Sequence, residues 1–348
     1  MHEVLRDWDG ENALISYDAR TQSHLFIAVH SRRLGPAAGG TRLKTYPTPA
    51  DGLRDATLLA RAMTYKMAVA GLPMGGGKSV LAVPGELSPA DRLHLLIRHA
   101  HNVATLNGSY STGPDVGTTS LDMDVLHAHT PYAFGRSPAR GGSGSSAPDT
   151  AVGVFNGIRA AVAHLNGDPA LDGVRVFVQG CGAVGEPLVG MLVDAGAVVV
   201  VSDVVAERVE MLVRKYGVTS VAPDVLDVDC DVYSPCALGQ VISADVVPTL
   251  RCRIVAGAAN NVLVDHEDGA RLQQAGILYA PDFVINAGGA IHLIGYEGLG
   301  WDSEQVAAGL VGIGDTLAQI FTTADDQGIS TEQAAERVAE ARLAAGPS

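Results

Sequence analysis

Lysine is rare in this chain, and two of its lysines stand in unusual company. Among 24 Lys and Arg residues, only Lys44, Lys66, Lys78 and Lys215 are lysines. Lys66 lies in Met63-Thr64-Tyr65-Lys66-Met67 and Lys78 in Gly75-Gly76-Gly77-Lys78-Ser79, both among apolar residues and glycines. A desolvated lysine loses part of its preference for the charged form and can act as a base near neutrality. Another can stay charged and hold a carboxylate. Asp115, between Pro114 and Val116, could exchange protons with an amine. On residue types alone, the same lysines read equally well as solvated surface groups.

The run Gly75–Ser79 invites comparison with a nucleotide-binding P-loop. That motif places a glycine where Leu72 stands; Gly71 is one residue off, and no strand–loop–helix context surrounds it. An NTPase is set aside. His94, His99 and His101 lack the His-Glu-x-x-His spacing of a zinc protease and read as surface or packing histidines. Asp122 and Asp124 lack the Gly and Glu of a calcium loop and read as the opening of a helix after Thr118-Thr119. No metal site is expected.

A second constellation is more specific. The apolar strand Val174–Gln179 runs into Gly180-Cys181-Gly182-Ala183-Val184-Gly185, followed by a helix with Leu188, Met191 and Leu192. The strand Ala197–Ser202 then ends at Asp203. This is the dinucleotide fingerprint in its required strand–turn–helix–strand setting. Gly180 makes the turn, Gly182 admits the pyrophosphate, and Gly185 lets the helix pack on the strand. The helix N-terminus offers N–H groups to the phosphates. Asp203 would accept from the adenosine ribose and repel a 2′-phosphate. That favours NAD over NADP; the nearest arginine after it is Arg208.

The elements that must position these groups divide the chain. Residues 11–30 read as a β-hairpin, followed by a Gly-rich loop, Leu34–Thr41. A helix starts at Thr48-Pro49, with Leu53, Ala56, Ala60, Met63 and Met67 on its buried face. A break at Gly71–Ser79 leads to a short strand, Val80–Val83, and a helix from Ser88. Residues 135–148 are loop-like and set the domain boundary. Beyond them come alternating helices and strands: Val174–Gln179, Ala197–Ser202, Asp231–Ser234, Arg253–Ala256 and Ile277–Ala280. The fold class is α/β: an N-terminal α/β substrate and catalytic domain (1–138) and a C-terminal doubly wound Rossmann domain (139–324), with a cleft between them. A helix over about 325–348, starting with a capping box at Ser330 and Gln333, is expected to pack back on the first domain.

Composition narrows the function. The net charge of −14 argues against nucleic-acid binding and anionic membranes. The charged N-terminus is no signal peptide, and the most apolar stretch, 189–205, is broken by Asp194 and Asp203, short of a membrane span. Cys181, Cys230, Cys236 and Cys252 fit free thiols of a reducing compartment. A cytoplasmic protein is expected.

With these residues in view, the chain resembles the amino-acid dehydrogenases of the glutamate/leucine/phenylalanine/valine superfamily. The carrying segments are Leu34–Arg42, Met63–Lys66, Gly75–Lys78, Gly113–Gly117, Phe134–Ser137, Ala256–Asn261 and Tyr279–Gly289. The pattern is most similar to the actinobacterial phenylalanine dehydrogenases. The resemblance implies NAD-dependent, reversible oxidative deamination of an L-amino acid to a 2-oxo acid and ammonia. It implies that Lys66 binds the α-carboxylate, that Lys78 activates water, and that Asp115 moves protons. Asn260 and the Gly40 carbonyl would hold the head group, while Met63, Ala38, Gly113, Pro114, Ala290 and Leu293 would line the side-chain pocket. Thr150, Pro235-Cys236-Ala237, Asn260 and Asn286 would lie on the nicotinamide side, and Ala183 and Val184 in the phosphate turn. Branched-chain members commonly carry Leu where Ala38 stands and Ala-Glu-Asp or Ala-Cys-Asp where Gly113-Pro114-Asp115 stands. The smaller residues favour L-phenylalanine; the alternatives are valine or leucine, or a non-catalytic NAD sensor. A homo-oligomer is expected, with the N-terminal hairpin as a candidate edge.

Overall fold

The computed structural model describes residues 1–346. The chain forms two compact units. The first comprises residues 1–144, 293–302 and the stretch from Ala339 onward; the second comprises 145–292 and 303–338.

In the first unit, α1 (His2–Arg6) precedes a hairpin of β1 (Asn12–Asp18) and β2 (Ser23–Ser31). The Asp18 carboxylate closes its turn, accepting from the Thr21 N–H and hydroxyl at 2.8 Å. Then follow β3 (Ala37–Thr45), α2 (Pro49–Val69), β4 (Gly75–Val83), α3 (Pro89–Thr105), β5 (Tyr110–Pro114) and α4 (Ser120–His127). The sheet order is β1-β2-β4-β3-β5, antiparallel across β1, β2 and β4 and parallel across β4, β3 and β5. α2 begins where Thr48 and Asp51 cap each other reciprocally, with Pro49 in the first turn; such a cap stabilises a helix by about 1 kcal/mol. Thr119 and Asp122 do the same for α4, so Asp122 opens a helix as its spacing suggests.

Two glycine-rich segments depart from the sequence reading. Leu34–Thr41 reads as a loop, yet β3 occupies Ala37–Thr45; the strand expected at Val80–Val83 starts at Gly75. A side chain is what these positions exclude. A Cβ on Gly76 would collide with the Thr64 backbone of α2, and one on Gly75 with the Ser31 and Gly35 carbonyls. Glycine lets helix and sheet backbones close to contact here, which hydropathy patterns do not register.

The second unit runs α5 (Ala147–Asn166), β6 (Arg175–Gln179), α6 (Gly185–Asp194), β7 (Val198–Ser202), α7 (Ala206–Tyr216), β8 (Thr219–Ser220), β9 (Val232–Pro235), β10 (Ile254–Val255), α8 (Glu267–Gln274) and β11 (Leu278–Tyr279). The short α9 (Asp282–Ile285) and α10 (Gly288–Leu293) follow, then α11 (Ser303–Gln327) and α12 (Thr331–Ala345), with Leu293 and the α12 residues from Ala339 on counted in the first unit. Its sheet is parallel throughout, in the order β11-β10-β9-β6-β7-β8. This is a Rossmann-like, doubly wound arrangement. The strand order reverses between β6 and β9, the place where such sheets bind ligands at the strands' carboxyl ends.

α11 is, by length and composition, apolar enough to cross a membrane, with a mean hydropathy of 1.3, although no such stretch was expected. Its Val306, Leu310, Ile313, Leu317, Ile320 and Phe321 are buried. Gly153 and Gly157 bring α5 up to Ile313 and Leu317: a Cβ on either would crowd those side chains to 2.7 and 2.9 Å. α12 starts with the expected reciprocal cap between Ser330 and Gln333. Further on, Arg342 donates to the carbonyls of Ala68 and Val69 at the end of α2, where a cation complements the helix dipole. The last two residues of the helix expected over 325–348 lie outside the described residues.

Candidate active site

Strand alternation decides which side chains share a face. Val80 and Ala82 of β4 pack under α2 with Leu53, Ala56 and Ala60, whereas Leu81 and Val83 pack with Leu95 and Leu96 of α3. Lys78 precedes Val80 by one alternation and so lies on the α2 side. Arg42 of β3 pairs in register with Val80 and takes the same side. On α2, Asp55 and Lys66 are about three turns apart and share a stripe.

These groups converge on one carboxylate. Lys78 Nζ lies 2.5 Å from Asp115 Oδ2, and Arg42 Nε lies 3.2 Å from the same oxygen. Arg42 Nη1 reaches Asp55 Oδ2 at 3.0 Å, and the Tyr46 hydroxyl donates to that oxygen at 2.5 Å. Asp115 stands just past β5, its N–H bonded to the Thr118 hydroxyl, which donates in turn to the Thr41 carbonyl. Burial pushes the Lys78 ammonium below the ordinary lysine range; Asp115 holds the proton on, and Arg42 opposes it. Burial raises Asp115, but Lys78 and Arg42 outweigh it and hold the carboxyl below its usual range. The pair is a buried amine beside a carboxylate that stays ionised, a matched acid–base couple.

The expected pocket residues of this unit lie on β3, β5 and the segments beside them, with Gly40 next to Asp115. Gly40 has room only for hydrogen: a Cβ would lie 2.8 Å from Asp115 Cβ. Gly113 faces Gly40 across β5 and β3, and Ala38 is buried between Gly76 and Ser111. A Cβ on Gly39 would stand 3.3 Å from Met63 Cγ, and one on Gly135 would meet Pro114 and Leu293. Lys66 is half-buried near the end of α2. Behind β3, a buried polar chain pins the strand. Tyr110 donates to the Gly39 carbonyl at 2.7 Å and meets Ser79 at 2.8 Å, and Thr41 bonds Thr112 and His99. Burial holds the His99 pKa down to about 3, so it is a neutral structural partner.

In the second unit, Gly180 closes β6 with φ +109°, a conformation that favours glycine. A Cβ there would lie 2.8 Å from Ala237, which follows β9, so Gly180 and Pro235-Cys236-Ala237 flank the reversal in strand order. Gly185 approaches the Gly180 carbonyl too closely for a side chain, whereas a Cβ on Gly182 would meet only the tip of Arg208 at 3.8 Å. Ala183 and Val184 complete the turn into α6. Asp203 accepts from the Cys181 N–H at 2.7 Å and the Val205 N–H at 2.8 Å, and Arg208 stands 3.7 Å away. Asp203 therefore shapes the turn itself.

Asn286 is buried, and its Nδ2 donates to Asn260 Oδ1 at 2.8 Å, but its Oδ1 has no hydrogen-bond partner. Asn260 is exposed. Thr150 sits beside Gly289, 3.2 Å from where a Cβ would stand, and Ala290 follows on α10. Next to them His292 meets Asp149 at 2.6 Å. An orphaned buried acceptor, open space over Gly182 and a glycine turn leading into a helix fit a dinucleotide with an amide-bearing head.

Arg42, Asp55 and Tyr46 complete this cluster, and residue type and spacing do not single them out. Arg42 lies in a strand whose glycines read as a loop, which hides the alternation that sets it beside Lys78.

The chain is similar to known proteins over nearly its whole length. Residues 18–132 match the family model "Glu/Leu/Phe/Val dehydrogenase, dimerisation domain", and residues 203–346 match "Glutamate/Leucine/Phenylalanine/Valine dehydrogenase". The chain is 40% identical to a leucine dehydrogenase of Thermoactinomyces intermedius over 98% of its own length and 93% of the relative's. It is 42% identical to a valine dehydrogenase of Streptomyces virginiae, covering 96% and 93%. The crystal structure of L-tryptophan dehydrogenase from Nostoc punctiforme superposes with a TM-score of 0.88 at 37% identity, covering 99% and 98%. The chain belongs to the glutamate/leucine/phenylalanine/valine dehydrogenase family.

Proposed function

We propose that this protein catalyses the reversible, NAD-dependent oxidative deamination of apolar L-amino acids, with leucine and valine ahead of phenylalanine. The observation that carries the chemistry is the buried Lys78–Asp115 pair beneath α2. A non-catalytic NAD sensor has no use for a desolvated lysine held against a carboxylate.

In this reading Lys66 holds the substrate carboxylate, and the Gly40 carbonyl and Asn260 hold its amino group. NAD, when bound, supplies the acceptor for the Cα hydride, and the substrate becomes an imine. Lys78, as the amine, takes a proton from water as its oxygen bonds to the imine carbon. Asp115, ionised at rest, takes the proton that the substrate ammonium gives up before hydride transfer and returns it to the carbinolamine nitrogen; as the hydroxyl proton passes to solvent, the C–N bond breaks, and ammonia and the 2-oxo acid leave. Gly180, Gly182, Gly185 and the start of α6 would receive the pyrophosphate, and Asn286 with Thr150 the nicotinamide end. The Asp203 charge favours NAD by repelling a 2′-phosphate.

Small residues at Ala38 and Gly113 favour an aromatic substrate, and the tryptophan dehydrogenase relative supports that second reading. The leucine and valine dehydrogenases, matched over nearly the whole chain, support branched-chain substrates more strongly. Ala290 and Leu293 belong to the proposed apolar wall. The protein is proposed to be cytoplasmic and homo-oligomeric; β1, paired only with β2 among the described residues, offers an edge for a second copy. Initial rates of NADH formation with leucine, valine, phenylalanine, tryptophan and glutamate test the reading. Highest kcat/KM for leucine or valine is expected. A preference for phenylalanine or tryptophan would move the assignment to the aromatic branch. NAD binding without turnover of any amino acid would favour the sensor.

A further inference from the structure

Arg42 has no part in the steps above, yet it touches the oxygen that Lys78 touches. It comes from β3, Lys78 from β4, Asp115 from the loop after β5, and Asp55 from α2, so sheet and helix together fix the set. The Arg42 side chain is 19% exposed. We propose that Arg42, clamped between Asp55 and Asp115, is a positioning residue that shares the Asp115 oxygen with Lys78, offsets its charge and so keeps the lysine ready to act as a base. The inference rests on the reading of Lys78 as that base.

A single carboxylate beside a buried lysine favours the ammonium; a second cation on the same oxygen weakens that preference. Arginine stays charged at every working pH, so its influence does not titrate away. Asp55 works in the other direction: it restrains Arg42 and adds negative charge that favours the ammonium. The groups around Lys78 are Arg42 from β3, Asp115 past β5, and Asp55 from α2, with Lys66 further along the same stripe. Tyr46 stands behind Asp55, and the buried Tyr110 hydroxyl lies on the β5 side of Asp115. Removing Arg42 leaves Lys78 as the one cation on Asp115 and leaves Asp55, still bonded to Tyr46, without its ion-pair partner, so Lys78 should hold its proton to higher pH. Neutralising Asp55 frees Arg42 for Asp115, so Lys78 should lose its proton at lower pH. Loss of packing alone predicts no such opposition of signs.

The test is the pH profile of kcat/KM for oxidation of the best amino-acid substrate by the wild type, Arg42→Gln, Arg42→Lys and Asp55→Asn. Alongside it, competitive acetylation of Lys78 with acetic anhydride across pH, read by mass spectrometry, follows the same lysine without turnover. In Arg42→Gln the acidic limb and the acetylation midpoint should rise by about one pH unit, a roughly tenfold loss on that limb that is recovered at high pH. Arg42→Lys, which keeps the charge but cannot reach both carboxylates, should fall between wild type and Arg42→Gln, and Asp55→Asn should shift downward. Unmoved midpoints in Arg42→Gln, or shifts of the same sign in both neutralised variants, overturn the proposal. If Arg42→Gln does not fold, Asp55→Asn decides alone: anything but a downward shift counts against it. A wild type that turns over no amino acid would refute the dehydrogenase reading, while the acetylation midpoints would still decide whether Arg42 governs Lys78.

Discussion

At Gly76 the space a side chain would take is already filled by the backbone of Thr64; at Gly182 the same space is open to within 3.8 Å of an arginine tip. Both glycines sit in glycine-rich runs, one inside a strand of the first unit and one in the turn after β6 of the second. The first glycine serves packing, bringing α2 onto the sheet so that Lys78 and Asp115 are desolvated. The second leaves open space at a helix N-terminus, where the phosphates of the proposed dinucleotide would sit. Similar compositions thus answer different demands, and stability and binding should respond to them separately.

The largest expected effect lies at the product of the packed region. Lys78→Ala should lower kcat/KM by about 10²–10⁴-fold, the usual contribution of a general base, while NADH still binds by fluorescence titration. Turnover near wild type would remove Lys78 from the mechanism. Next comes the packed glycine: Gly76→Ala should destabilise the fold by about 3 kcal/mol, the upper range for overpacking, seen as an earlier denaturation midpoint. The open glycine should behave differently. Gly182→Ala is expected to leave that midpoint in place and weaken NADH binding by about tenfold, or roughly 1.4 kcal/mol. Were Gly182→Ala to destabilise like Gly76→Ala, the contrast between the two regions would collapse. Smallest is Asp203→Asn, expected to narrow the preference for NAD over NADP by a few-fold, measured as the ratio of kcat/KM values. An unchanged ratio would assign Asp203 wholly to the turn, where it already binds the Cys181 and Val205 N–H groups.

The same contrast explains what could be read in the sequence. The second unit is legible because its glycine turn follows a run of apolar β-branched residues and precedes a helical pattern; each neighbour confirms the next. Its strands were found within a residue or two, except β8, only two residues long and exposed. The first unit is less legible because Gly39, Gly40 and Gly75–Gly77 carry no hydropathy signal, and the strands they belong to look like loops. Lys78 and Asp115 still stand out by residue type and apolar setting. Arg42 does not, because its partnership depends on a register between β3 and β4 that no local pattern encodes. Asn286 was expected on the nicotinamide side from resemblance; its unpartnered Oδ1 is a property of three-dimensional packing alone.

The central claim is that this chain uses a buried lysine–aspartate pair to exchange an amino group for an oxygen, with electrons passing to NAD. Its most direct test is stoichiometry: incubation with L-leucine and NAD, with NADH, ammonia and the 2-oxo acid measured in the same samples. Equimolar formation of all three by the wild type, and of none by Lys78→Ala, is the expected result. NADH formed without ammonia, or ammonia released by Lys78→Ala at the wild-type rate, would contradict the account.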